Sequence, residues 1–183
     1  MKRRHFLTTS TALSSLATLA APSVWSQSAP ELRHAIQWSR TARERGNHPF
    51  GEVIVSAAGK LLAEADCNTT VTGDCTGHAQ TNAVRVVSPL TSREVLATAT
   101  LYSSGEPCVM CAGAIFWSNI GRVVFGIDAV SLRVFRGERA DQRDAALSCR
   151  DVFAASARPI ECIGPVLVKE ASEPHWGFWK AWK

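Results

Sequence analysis

The chain has little net charge, no internal repeat and no acidic residue before position 31. Each absence excludes something. The formal charge is +4 over 183 residues, and three of those charges are Lys2, Arg3 and Arg4. Without them 17 basic residues face 16 acidic ones, a net of +1. A surface so nearly neutral lacks the electrostatic footprint of a protein that holds a long nucleic acid. The lack of a fixed repeat excludes solenoid and propeller arrays. A spanning helix is disfavoured too. The one long uncharged stretch, residues 7–21, is rich in Ala, Ser and Thr and falls short of the roughly 20 apolar residues a bilayer needs. What remains is a length and an apolar content that suit one globular domain with a real core.

The missing acids are concentrated where they matter. KRRHFL is followed by a weakly apolar stretch and then by small residues, Val24 and Ser26 flanking Trp25. A basic start, an uncharged middle and a small-residue end describe an export signal. The paired arginines before Phe6 and Leu7 are similar to a twin-arginine signal. Residues 1–26 are therefore expected to be removed, leaving 27–183 as a periplasmic or otherwise exported domain with no membrane attachment.

Periodicity outlines that domain. Residues 31–45 read as an amphipathic helix with Leu32, Ala35, Ile36 and Trp38 inward, closed by Gly46 and Asn47. Residues 50–56 and 61–65 read as strands of a hairpin turned at Ala57-Ala58-Gly59-Lys60. Residues 67–77 read as a loop, and 78–87 as a helix stopped by Pro89. Further strands are expected at 99–103, 122–126 and 163–169, with helices from Cys108 to about Ser118-Asn119, at 128–136 and at 149–157. An aromatic-rich helix is expected at 174–183. Strands alternating with helices predict a three-layer α/β/α sandwich.

Two stretches about thirty residues apart carry the chemistry. TGHAQTNAVR holds His78 and Gln80, and SSGEPCVMCAGAIFW holds Pro107, Cys108 and Cys111. An imidazole and two thiolates are good zinc ligands, and three protein ligands leave a fourth position open, as in catalytic sites. Pro107 is tolerated in the first turn of a helix. Positions i and i+3 of that helix share a face, so Cys108 and Cys111 can reach one ion. Either stretch alone is ambiguous. A histidine near a helix start is commonly a surface or capping residue, and a lone C-x-x-C also serves as a redox pair or half a structural zinc site.

Read together, H-x-Q followed by P-C-x-x-C resembles the zinc deaminase signature, H-x-E followed by P-C-x-x-C. The chain is similar to the cytidine and deoxycytidylate deaminase superfamily. Its nearest likeness there is the nucleobase branch of guanine, yeast-type cytosine and tRNA adenosine deaminases. The resemblance runs from about Glu31 to the C-terminus. It implies a five-stranded mixed sheet, a zinc ion on His78, Cys108 and Cys111, a small-molecule base as substrate, and a homodimer. It also implies that backbone groups around Ala79 and Glu106 flank the reacting centre, and that Asn68 hydrogen-bonds the base. Asn68 is equally a turn former.

The departure is Gln80. At that position the resembling enzymes carry a glutamate that moves protons, whereas a carboxamide cannot accept and return one near neutral pH. Loss of a placed acid or base costs about 10²–10⁴ in rate. A site that binds metal and ligand but turns over slowly or not at all is therefore expected. Two origins fit: a glutamate replaced to trap substrate, or a native glutamine in a zinc-containing binding protein. An RNA-editing activity fits the neutral surface poorly. Cys67, Cys75, Cys149 and Cys162 read as core or loop residues with no assignable pairing, Cys75 being a minor candidate for a fourth ligand. The rings of HWGFWKAW serve for docking the C-terminus or for closing the pocket.

Overall fold

A computed structural model describes residues 24–137 and 147–179, with side chains from residue 29. Its first element is the helix α1 (Val24–Glu44), which begins seven residues before the expected start. Most of the expected signal, residues 1–23, lies outside the described residues, and its last three form the first turn of α1. Leu32, Ala35 and Ile36 are buried as their spacing requires, while Trp38 is half-buried at the stripe's edge. The chain then forms β1 (Gly51–Val55) and β2 (Leu61–Asp66), an antiparallel hairpin closed at Ser56 and Lys60. Gly51 is obligatory here. A Cβ on it would stand 2.3 Å from the Ala35 carbonyl oxygen and 2.4 Å from the Ser39 nitrogen, so only glycine lets α1 lie this close to β1.

Two short helices were not expected. One, α2 (Thr69–Thr72), sits inside the stretch read as loop. The other, α4 (Arg93–Thr98), follows α3 (Ala79–Val87) and is capped by Ser92, whose hydroxyl accepts from the Val95 N–H. Then come β3 (Thr100–Gly105), α5 (Val109–Ser118), β4 (Arg122–Ile127), α6 (Ala129–Arg136) and α7 (Cys149–Ala154). Asn119, in the left-handed region at φ 74°, ends α5 where expected.

The last strand corrects the sequence reading. Expected at 163–169, it is β5 (Glu161–Ile163); of the apolar residues after it, Leu167 caps α8 (Val168–Ser172) and Val168 opens it. The physical reason is Pro165, which has no N–H to donate to a ladder, so the strand stops before it. The expected C-terminal helix is a 3₁₀ turn, Glu173–His175, followed by further turns to Trp179; Trp182 lies outside the described residues.

The five strands lie in the order β2-β1-β3-β4-β5, with β1 antiparallel to both neighbours and β3, β4 and β5 parallel. This is a mixed sheet with helices on both faces. On one face α1, α6 and α8 bury Leu32, Ile36, Leu132 and Ala171 against Val53, Val55 and Val124. On the other, α3, α5 and α7 bury Ala83, Val87, Ile115 and Phe153 against Ile54, Leu101 and Phe125. Each large side chain so removed from water contributes about 1.5–3 kcal/mol. Among the described residues no helix is long and apolar enough to cross a membrane.

Candidate functional site

The site forms where α3 and α5 begin side by side. The hairpin and the following loop deliver the chain to His78, the residue before α3, and β3 delivers it through Glu106-Pro107 to Cys108, the residue before α5. Pro107 thus precedes the helix instead of opening it. Cys108 holds the N-cap position and Cys111 lies one turn on, which preserves the shared face. His78 Nδ1 is 3.6 Å from Cys108 Sγ and 3.4 Å from Cys111 Sγ, and the sulfurs are 3.5 Å apart. A tetrahedral zinc with bonds of roughly 2.0–2.3 Å holds such atoms about 3.5–3.8 Å apart, so the triangle fits zinc closely. Two thiolates and an imidazole are also the donor set zinc favours.

The Cys108 thiol donates toward the Cys111 sulfur, while the Cys111 thiol is directed at the Gln80 amide oxygen. The Cys108 pKa is lowered to about 4, first by its hydrogen bond with Cys111, against burial and with help from His78. The Cys111 pKa is raised, first by its hydrogen bond with Cys108 and then by burial. Binding a metal ion as two thiolates would release protons.

Behind this triangle lies Gln80, buried in the first turn of α3. Its amide nitrogen donates to the Ser103 hydroxyl at 3.0 Å, and its amide oxygen accepts from the Cys111 thiol at 3.4 Å. Ser103 donates in turn to the Gly105 carbonyl. Facing Ser103 across the β1–β3 ladder is Glu52, fully buried in a strand of apolar residues. Burial raises its pKa well above the ordinary carboxyl value, tempered by Ser103. Yet neither carboxyl oxygen finds good hydrogen-bond geometry to any donor among the described residues. Sequence reading missed Glu52. The signal was an acid second in G-E-V-I-V, on the same side of the strand as the core residue Ile54.

His78, Gln80 and Cys108 open onto a cavity of about 110 Å³ that Phe50, Glu106 and Arg136 help to line. A larger hollow of about 540 Å³ lies elsewhere, beside Val55, Thr100 and Gly121, and touches none of the ligating groups. Ala79 is the buried first residue of α3, and His78 makes no side-chain cap there, so the helix's first backbone N–H groups have no capping partner from it. Glu106 is pinned: one carboxyl oxygen accepts from the Ser148 hydroxyl at 2.8 Å and the Cys149 N–H, the other from the Ala129 N–H at 2.9 Å.

Asn68 is not among the residues lining this cavity. Its side-chain oxygen accepts from Asn82 Nδ2 at 3.1 Å, bracing the loop against α3. Cys75 is exposed and outside the ligand cluster. The C-terminal rings dock, with His175 buried and stacked on Trp179 and the two lying 5.2 and 6.4 Å from the Phe50 ring. Burial lowers the His175 pKa to about 3, so this ring is neutral and accepts from the Trp179 indole N–H. The docked rings back Phe50, which lines the cavity.

Comparison with known proteins agrees with this geometry. A profile of the cytidine and deoxycytidylate deaminase zinc-binding region matches residues 26–127. A Schizosaccharomyces pombe protein named "Probable cytosine deaminase" is 41% identical over 148 residues, which cover 81% of this chain and 90% of that one. Guanine deaminase of Bacillus subtilis is 33% identical over 113 residues, covering 62% of this chain and 65% of its own. A solved tRNA:A34 deaminase superposes with a TM-score of 0.64 at 26% identity, over 80% of this chain and 99% of that one.

Proposed function

We propose, from the premise that this chain belongs to the cytidine and deoxycytidylate deaminase family, that its substrate is a free nucleobase or small aminated heterocycle of the guanine, cytosine or isocytosine class. The observation that carries the reading is the triangle of His78, Cys108 and Cys111 opening onto a small cavity. His78, Cys108 and Cys111 would hold zinc there, and zinc so held would lower the pKa of a water and supply the nucleophile that displaces an exocyclic amine. A cavity of about 110 Å³ suits a flat ring better than a nucleotide within a folded RNA, and the near-neutral surface supports the same choice.

Backbone N–H groups around Ala79 and the chain at Glu106 flank the reacting centre. Asn68 hydrogen-bonds the base in this reading, through a side chain whose oxygen also accepts from Asn82. Gln80 stands where proton transfer is needed and can orient a ligand by hydrogen bonds, but it moves no proton. Turnover by the chain as it stands is therefore slow. A second reading, a catalytically silent zinc-containing binding protein, rests on that same glutamine. Ammonia release by zinc-loaded Gln80→Glu protein, offered guanine, cytosine, isocytosine and an adenosine-bearing RNA stem-loop, separates these. Release from one free base and none from the RNA is expected. No ammonia from any of them would leave the binding reading.

A further inference from the structure

Two free cysteines lie side by side away from the metal cluster. Cys149 opens α7 and is buried, Cys162 lies in β5 and is half-buried, and their sulfurs stand 3.5 Å apart. A cavity of about 450 Å³ opens onto Cys162 and is also lined by Arg150, Phe153, Ser156 and Pro159. The Arg150 guanidinium is held in place. It donates to the Gly164 carbonyl at 2.5 Å and lies over the Phe125 ring at 5.0 Å. The cavity thus presents a thiol, a fixed cation beside it and a second thiol directly behind.

We propose that Cys162 and Cys149 form a thiol–disulfide exchange site, which receives a small disulfide bearing carboxylates in this cavity and closes to an intramolecular disulfide. The Cys162 thiolate attacks one sulfur of the incoming disulfide. A Cys162–sulfur bond forms, the incoming sulfur–sulfur bond breaks, and one small thiolate leaves. Cys149 then gives up its proton and attacks Cys162 Sγ. The Cys149–Cys162 bond forms and the second small thiolate leaves. Two protein thiols have lost two electrons and two protons, and the small disulfide has become two thiols.

The order of attack follows from the surroundings. Cys162 is the sulfur at the cavity wall, and its pKa is lowered, first by the hydrogen bond from Cys149 and further by the Arg150 charge, against burial. Cys149 is raised, first by holding the shared proton, and is shielded in the core. Closure would also tie down a working part of the molecule. Ser148 and the Cys149 N–H, at the same helix end, hold the Glu106 carboxylate two residues from the zinc ligand Cys108.

The test uses zinc-loaded protein, so that Cys108 and Cys111 are occupied, with glutathione disulfide as the probe. After an acid quench, the remaining thiols are alkylated and peptides mapped. The expected product links the Cys149 and Cys162 peptides, lighter by two hydrogens, with zinc retained. Cys149→Ser should stall with glutathione on Cys162, and Cys162→Ser should leave Cys149 unmodified. Recovery of both cysteines alkylated in the native chain would overturn the proposal. So would glutathione persisting on native Cys162, or equal modification of Cys149 in Cys162→Ser. The native-chain map decides the matter even where a serine variant fails to fold.

Discussion

At the residue scale, two neighbouring side chains depart from what a buried catalytic pocket ordinarily tolerates. Gln80 is a carboxamide where the proposed chemistry calls for an ionisable group, and Glu52 is an ionisable group buried without a hydrogen-bond partner among the described residues. Burial raises the Glu52 pKa well above its unfolded value, so the folded chain keeps a proton that the unfolded chain loses. Its contribution to stability is fully present below about pH 4 and is lost as pH rises through the folded-state pKa. Glu52→Gln keeps the shape and removes the ionisation. The variant should therefore gain in Tm over the parent, and gain more at pH 8 than at pH 5. A Tm difference that stays constant across that range would show that Glu52 does not titrate in this way. The cluster of His78, Cys108 and Cys111 was legible from the two motifs taken together and from their resemblance to the deaminase signature. Glu52 was not, because a polar residue in a strand reads as solvent-facing until the sheet order shows that both faces are covered.

At the scale of elements, α3 and α5 are positioned by the sheet and by the ion their first residues can share. The start of α3 offers His78 and the start of α5 offers Cys108 and Cys111, so zinc bound there would tie together two helix ends that the sequence separates by thirty residues. Chelation should lower Tm, and Cys108→Ala or Cys111→Ala should reduce bound zinc to a small fraction of one per chain. Full zinc occupancy in both variants, read by elemental analysis, would refute the ligand assignment. Most of these elements were readable from alternation and from turn residues, the β1–β2 hairpin and the Asn119 stop of α5 among them. The rest failed for local reasons. The run at 163–169 has the composition of a strand, but Pro165 has no N–H for a ladder, which ends at Ile163. Helix α4 is only six residues long and announces itself only through the Ser92 cap.

At the scale of the whole molecule, the apolar stretch 112–117 divides between two tasks. Ala112 and Ile115 are buried in the core, whereas Trp117 is 76% exposed. A homodimer packed over α5 would cover that ring. Light scattering at micromolar concentration should give twice the chain mass, and Trp117→Glu should give one. A monomer in the parent protein would contradict the dimer. Export is proposed on residues 1–26. The secreted form should lack them, and replacing Arg3 and Arg4 by lysine should stop secretion; continued secretion would point to another route. The central claim is that this is a deaminase site complete except for its proton carrier. The most direct measurement is the rate of ammonia release from the preferred base by the zinc-loaded parent and by Gln80→Glu. Because that glutamate would share buried space with Glu52, the double variant with Glu52→Gln is measured beside it. The account predicts a rise of about two orders of magnitude or more over the parent, with zinc content unchanged. A parent that turns over as fast as Gln80→Glu, or a Gln80→Glu protein that releases no ammonia from any base, would contradict it.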